Sequence, residues 1–331
     1  MPTFAYVSNS GGGTVTRIDL DTFTLAAALT VGTGPSGLAI DPSGAFAYVA
    51  ITGPGSNSVR KIDLSTFKTV GQPVKVGQGP RMVVIDSAGS FAYTPNYLGR
   101  SVTRIALSKF VPALSSNIAD RPVSIVIDNA GTFAYVVTDA PSVIKINLKA
   151  FRLTATLALT YDGGTQYDVA IDPSDTYLYV VNHNANTVTK IALDDFTVSA
   201  TLTLETPNAI VIDSSGTFAY VTNHAGDLVT RIDLDQFNLA GTVGAGCAGI
   251  ALDSTGNIYA TDANAGTVSL IDHETFKVVG SPVSVGSQPH SIVIDSVPPP
   301  APPAKPDVEP FDYFYRERFL ELHPPHLTKE F

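Results

Sequence analysis

His183 and His224 each follow an asparagine, in VNHNANTV and TNHAGDLV. Such a pair could share a metal ion or act as an acid–base couple, because imidazole both ligates metals and exchanges protons near neutral pH. Elsewhere the sequence carries Arg81, Tyr97, Arg100, Tyr161, Tyr167, Asn208 and His290 in segments of comparable type. Arginines, tyrosines and histidines gathered at one opening would hold an anionic or polar ligand, or a peptide. Whether they gather depends on the elements that carry them.

Those elements repeat. The tyrosine of FAY or its equivalent falls at Tyr6, Tyr48, Tyr93, Tyr135, Tyr179, Tyr220 and Tyr259, at steps of 39–45 residues. An aspartate closing an apolar run falls at Asp41, Asp86, Asp128, Asp172, Asp213, Asp253 and Asp295. A phenylalanine follows each IDL-like run, at Phe23, Phe67, Phe110, Phe151, Phe196, Phe237 and Phe276. Three markers recurring seven times in one order define a structural repeat. Each period reads as four short strands. Strand A (SIVID) is nearly all apolar, as expected of a strand covered on both faces. Strand B (FAYVVT) follows, and then strand C (TVTRIDL), whose alternation predicts a solvated face for the Arg and Asp of RID. Strand D (TLAAALTVG) comes last. The A–B links DPSG, DSAGS, DNAGT and DSSGT are tight-turn chemistry.

Four strands per period, seven times over, predict an all-β fold, a seven-bladed β-propeller of four-stranded antiparallel blades. An open solenoid is the competing architecture, but it favours a shorter period and needs capped ends. The array begins at strand B with Phe4 and ends with strand A at Ser291–Asp295. The C-terminal A strand is therefore expected to pair with N-terminal strands B–D and seal the ring, leaving few bare edges.

In a propeller the D–A and B–C loops share one rim, and the A–B and C–D turns share the other. The position just before strand A varies most, as Ser36, Arg81, Val123, Tyr167, Asn208, Ala248 and His290, and is expected to form a ring at the channel mouth. The B–C loops add Tyr97, Arg100, His183 and His224, and the irregular D–A connection TYDGGTQY adds Tyr161. The asparagines before the two histidines recur as Asn9 and Asn96 and should cap the B–C turns. Equivalent positions in adjacent blades are expected well over ~10 Å apart near the rim, too far to share an ion with bonds of about 2 Å, so no metal is expected at His183 and His224. An aspartate present in every copy is there for its turn, whereas catalysis would need it in only one.

YVSN, YVVTD, YVVNHNANTVTKIAL and YVTNHAGDLVTRIDL, preceded by GPSGLAIDPSG, resemble the YVTN family of β-propeller repeats over residues 3–296. The resemblance implies a seven-bladed ring with strand A lining the central channel, in proteins often exported or held at the cell surface. It implies little about chemistry. Streptogramin-type lyases and lactonase-type propellers are similar in fold and use His with Glu, Arg or a bound metal. The ring portion here has only Glu205 and Glu274; Glu274 is expected on the opposite rim, and Glu205 stands beside no histidine in sequence. No Ser/His/Asp order, phosphate-cradling glycine loop or HExxH is present.

Composition narrows the partners. The chain has 331 residues and a net charge of −10, without a Lys/Arg run, so phosphate backbones are repelled and nucleic acid is not expected. Cys247 is the single cysteine, which excludes an intrachain disulfide and a cysteine-based zinc site; its small neighbours suggest a buried residue. No apolar stretch approaches the roughly 20 residues that span a bilayer. MPTFAYVSNS enters a strand-like run at once, so no secretory leader is visible and the compartment is left open.

Residues 1–297 are thus expected to form the propeller, 298–306 (PPPAPPAKP) a semi-rigid polyproline linker, and 307–331 an aromatic tail. A short helix is expected over 311–322, with Phe311, Phe314, Tyr315, Phe319 and Leu322 along its apolar stripe. A helix this short is marginal alone and is expected to dock on a partner protein or on the ring. The reading that joins these features is a non-enzymatic binding scaffold. Its rim takes a protein or small polar ligand, the ring is monomeric, and neither cofactor nor membrane insertion is required. The alternatives are a metal-assisted lyase or lactone hydrolase, and a structural repeat of a surface layer or appendage.

Overall fold

A computed structural model describes residues 3–160 and 166–295; the polyproline segment and aromatic tail lie outside the described residues. The strands, β1 to β28 in chain order, form seven four-stranded antiparallel sheets. The ring closes as the repeat boundaries require. Blade 1 has the order β28 (Pro289–Ile294), β1 (Phe4–Asn9), β2 (Thr14–Asp19) and β3 (Thr24–Thr30), with Ala5 opposite Ile294 and Asn9 opposite Pro289. The other six blades are built from consecutive strands. Their innermost strands are β4 (Pro35–Ile40), β8 (Val84–Ile85), β12 (Pro122–Ile127), β16 (Gln166–Ile171), β20 (Pro207–Ile212) and β24 (Ile250–Leu252). Among the described residues no helix is long and apolar enough to cross a membrane.

Burial follows the sequence pattern outward from the channel. Strand B is buried along nearly all its length in every blade, as its apolar FAYV runs demand, while strand D is largely exposed. The three sequence markers meet between blades. Each strand-B tyrosine packs on the phenylalanine of the next blade's C–D turn: Tyr6 on Phe67, Tyr48 on Phe110, Tyr93 on Phe151, Tyr135 on Phe196, Tyr179 on Phe237 and Tyr220 on Phe276. The seventh pair, Tyr259 on Phe23, crosses from the last blade to the first and completes the circle. Centroid separations of 5.7–6.0 Å with tilted rings are the favourable aromatic geometry. All seven phenylalanines have φ between 47° and 56°, in the left-handed region that a bulky residue avoids. The turn accepts that strain because it points the ring into the gap between blades.

The recurrent aspartates serve the turns. The Asp128 carboxylate accepts the Thr132 and Phe133 amides, Asp172 those of Thr176 and Tyr177, and Asp295 that of Phe4. Each carboxylate also lies near the buried tyrosine of its own blade. Burial, with Asp86 as a second cause, pushes the Tyr93 hydroxyl up to about 12. The strand-C cations correct an expectation. Arg231 does not sit on a solvated face; its guanidinium lies 5.0 Å from the Phe218 ring and 4.7 Å from Phe276 in the next blade. Arg104 is held likewise by Phe91 and Phe151 and donates to the Leu148 carbonyl across the boundary at 3.0 Å. The cation stands directly opposite the strand-B tyrosine, so the aromatic faces that form the interblade contact also take up the charge.

Replacing Phe67, which is 8% exposed, separates its two roles. Phe67→Ala should cost about 3–5 kcal/mol in denaturant unfolding through loss of the ring. Phe67→Gly should be at least as stable as Phe67→Ala, because only glycine occupies the left-handed turn without penalty. A clearly less stable glycine variant would show that the turn is not strained.

Candidate functional site at the channel mouth

The mouth is shaped by an irregularity at the start of the innermost strands. In β12, β16 and β28 one extra residue is inserted against strand B, at Val123, Tyr167 and His290 respectively. Such a bulge breaks the ladder locally and re-aims a side chain. In blade 3 regular pairing is reduced to Val84–Ile85, with an isolated bridge from Pro80 to Asn96, and Arg81 lies in the gap. The B–C and D–A loops do share a rim, tied by backbone hydrogen bonds such as Tyr97 N to Gly79 O and His224 N to Thr206 O. The buried Asn9, Asn96 and Asn182 each donate to hydroxyls of strand C, closing the B–C turns beneath it.

Two groupings face this rim. In the first, the Arg81 guanidinium lies 3.9 Å from the Tyr97 ring centroid, and Arg121, which the sequence reading did not single out, lies 5.4 Å from the same ring. Arg121 is paired with Asp139 at 3.8 Å; among the described residues Arg81 has no such carboxylate partner. His290, on β28, is open to the channel but walled by protein, and burial followed by the nearby Arg81 charge lowers its pKa. In the second grouping, Tyr167 packs on His183 at 4.4 Å between centroids with the rings tilted by 39°, and the His183 ring centroid lies 6.3 Å from that of His224. The expected wide separation of the two histidines is therefore overturned. The reason is local: His183 Nδ1 bonds the Pro207 carbonyl, the first residue of the next blade, at 3.0 Å, which draws its ring across the boundary.

The remaining expected residues are placed separately. Arg100, exposed and at φ 46°, donates to the Ala119 carbonyl and so secures a loop. Asn208 Nδ2 donates to the Cys247 carbonyl at 2.9 Å, tying β20 to the following blade. Tyr161 lies outside the described residues. Glu205 is exposed on the D–A loop.

One residue was missed. Asp168 is the sole carboxylate two positions into an innermost strand, where the other blades carry Gly37, Met82, Ser124, Ala209, Gly249 and Ser291. The one-copy criterion that set aside the repeated aspartates would have found it in TQYDVAID. Its carboxylate accepts Ser124 Oγ at 2.8 Å and Ile210 N at 3.1 Å, so it joins three successive blades. Burial nonetheless raises its pKa to about 6, outweighing those donors. A carboxyl that titrates there has the poise of an acid or base, but both oxygens are engaged in holding the wall. Cys247 is fully buried, as expected, and its thiol is pushed up to about 11 by burial. Its sulfur comes within 4.8 Å of carboxylate oxygens of Asp227 and Asp262.

No family model matches the chain, and no curated protein matches it. Solved structures do. Kuenenia stuttgartiensis hydrazine synthase superposes with a TM-score of 0.76 at 21% identity, over 81% of this chain and 92% of the other. A provisional 6-phosphogluconolactonase of Bacteroides uniformis gives 0.75 at 15% identity, over 89% and 100%. Dihydro-heme d1 dehydrogenase NirN gives 0.63 at 18%, over 84% and 62%. The chain has the seven-bladed propeller fold. Names spanning a synthase, a lactonase and a dehydrogenase show that this ring does not dictate chemistry.

Asp168 gives a stability test. Its pKa is raised in the folded state, from 3.8 to about 6, so the fold holds the proton more tightly than the unfolded chain does. Its contribution is best below pH 4 and is lost as pH rises through 6. Asp168→Asn should therefore gain stability relative to the parent between pH 4 and 7, by on the order of 1 kcal/mol given the open channel. Parallel unfolding curves at the two pH values measure it, and a constant difference would contradict the assignment.

Proposed function

We propose that this propeller is a non-enzymatic binding scaffold whose channel mouth takes an anionic ligand, a carboxylate or phosphate on a small molecule or peptide. The observation that carries the reading is Arg81. Its guanidinium lies over the Tyr97 ring without a carboxylate partner among the described residues, at the opening of a chain with net charge −10. An unpaired, pre-oriented guanidinium is the group best suited to bind an oxyanion through two parallel hydrogen bonds. His290 supplies a neutral imidazole nearby, because burial and Arg81 disfavour its charged form. An anion between them would reverse the second effect and favour protonation. The order of FAY, ID and IDL motifs supports assigning the repeat to the YVTN type. In this reading the Phe311, Phe314, Tyr315, Phe319 and Leu322 stripe provides a second contact, to a partner protein.

Calorimetric titration with citrate, inorganic phosphate and 6-phosphogluconate tests the mouth. At least one should bind, and Arg81→Ala should weaken it about tenfold or more, as expected for losing a charged hydrogen bond, without altering the melting temperature. Affinity in the parent should rise as pH falls towards 5, and His290→Ala should abolish that rise. Binding indifferent to both substitutions would reject the site.

A further inference from the structure

We propose that His183 and His224 form a site for a borderline-soft divalent cation such as Zn²⁺, Cu²⁺ or Ni²⁺, bridging the B–C loops of blades 5 and 6. The site is separate from the anion contact at Arg81. A carbonyl oxygen can only accept, so the 3.0 Å bond to Pro207 fixes the proton of His183 on Nδ1. Nε2 is left with its lone pair, the form a metal requires. A ligating histidine commonly donates its other nitrogen to a backbone carbonyl, which sets both tautomer and ring orientation. Tyr167, packed at 4.4 Å with its ring tilted by 39°, walls one side of the ring and restricts its rotation.

The spacing fits. Two imidazoles sharing an ion through bonds of about 2.0–2.1 Å have ring centres about 5–6.5 Å apart. The observed 6.3 Å is at the open end of that range. His224 is exposed, and its ring makes no hydrogen bond among the described residues, so a rotamer change there can close the angle. Waters would complete the coordination. Imidazole selects zinc, copper and nickel over magnesium and calcium, which take oxygen ligands. The acidic chain adds a favourable long-range field for a cation. The competing cluster of Asp227, Cys247 and Asp262 is less suited. Its thiol is held protonated by burial, and Asp262 Oδ1 is occupied by the amides of Asn264 and Ala265.

Calorimetric titration of the untagged 331-residue chain with ZnCl₂, CuCl₂ and MgCl₂ decides it. Zinc and copper should each bind at one site and magnesium should not. His183→Ala and His224→Ala should each weaken zinc binding by about tenfold or more. Arg81→Ala should leave it unchanged, which keeps this outcome apart from that of the anion site. Should His183→Ala unfold, the exposed-loop variant His224→Ala carries the test. Absence of zinc binding up to about 1 mM overturns the proposal. So does binding that survives both histidine substitutions, or that is abolished by Cys247→Ser instead.

Discussion

One contact recurs at all seven blade boundaries of this ring, a buried tyrosine of one sheet against a phenylalanine of the next. The phenylalanine reaches that place only because its C–D turn adopts a left-handed backbone, and in several blades the turn is held by an Asx side chain such as Asp63 or Asp233. Local strain is thereby offset by burial between blades. Since the contact runs one way around the ring, the last tyrosine, Tyr259, must meet the first phenylalanine, Phe23. The strand exchange of β28 into blade 1 supports the same boundary.

A rigid ring gives the innermost strands a fixed frame, and the departures from it lie at one end of the channel. The bulges at Val123, Tyr167 and His290 interrupt the A–B ladders at this end, and the ladders of β4 and β20 shift register at the same place. The mouth they create is divided. Guanidinium and aromatic groups, with His290 near by in charge terms, occupy blades 3, 4 and 1, while two imidazoles and a tyrosine occupy blades 5 and 6. The first group is cationic and the second presents imidazoles, so the two parts of one rim differ in chemistry. Asp168 lies deeper and fastens three blades of the wall; its raised pKa is a consequence of where that fastening had to be.

Repetition itself sorts residues by role. Groups found in every blade, such as the A-strand aspartates and the C–D phenylalanines, satisfy turns and seams. Groups found once, such as Arg81 and His290, are free of that duty. Arg100 and Asn208 mark where the criterion falls short: each occurs once, yet each spends its side chain on a neighbouring backbone carbonyl. Single occurrence identifies candidates, and unspent hydrogen-bonding capacity separates them.

Strand count, blade number and ring closure were legible in the sequence, because they follow from local alternation, turn chemistry and a constant period, all properties of residues adjacent in the chain. The same reading could not foresee that strand-C arginines lie between aromatic rings, since those rings come from two different blades. Nor could it judge the distance between His183 and His224, which a single hydrogen bond to Pro207 shortens across a blade boundary. The pKa of Asp168 depends on walls contributed by three sheets. Periodicity reports on neighbours along the chain; proximity at the channel mouth arises only when separate repeats are brought together in space, and there tertiary structure decides.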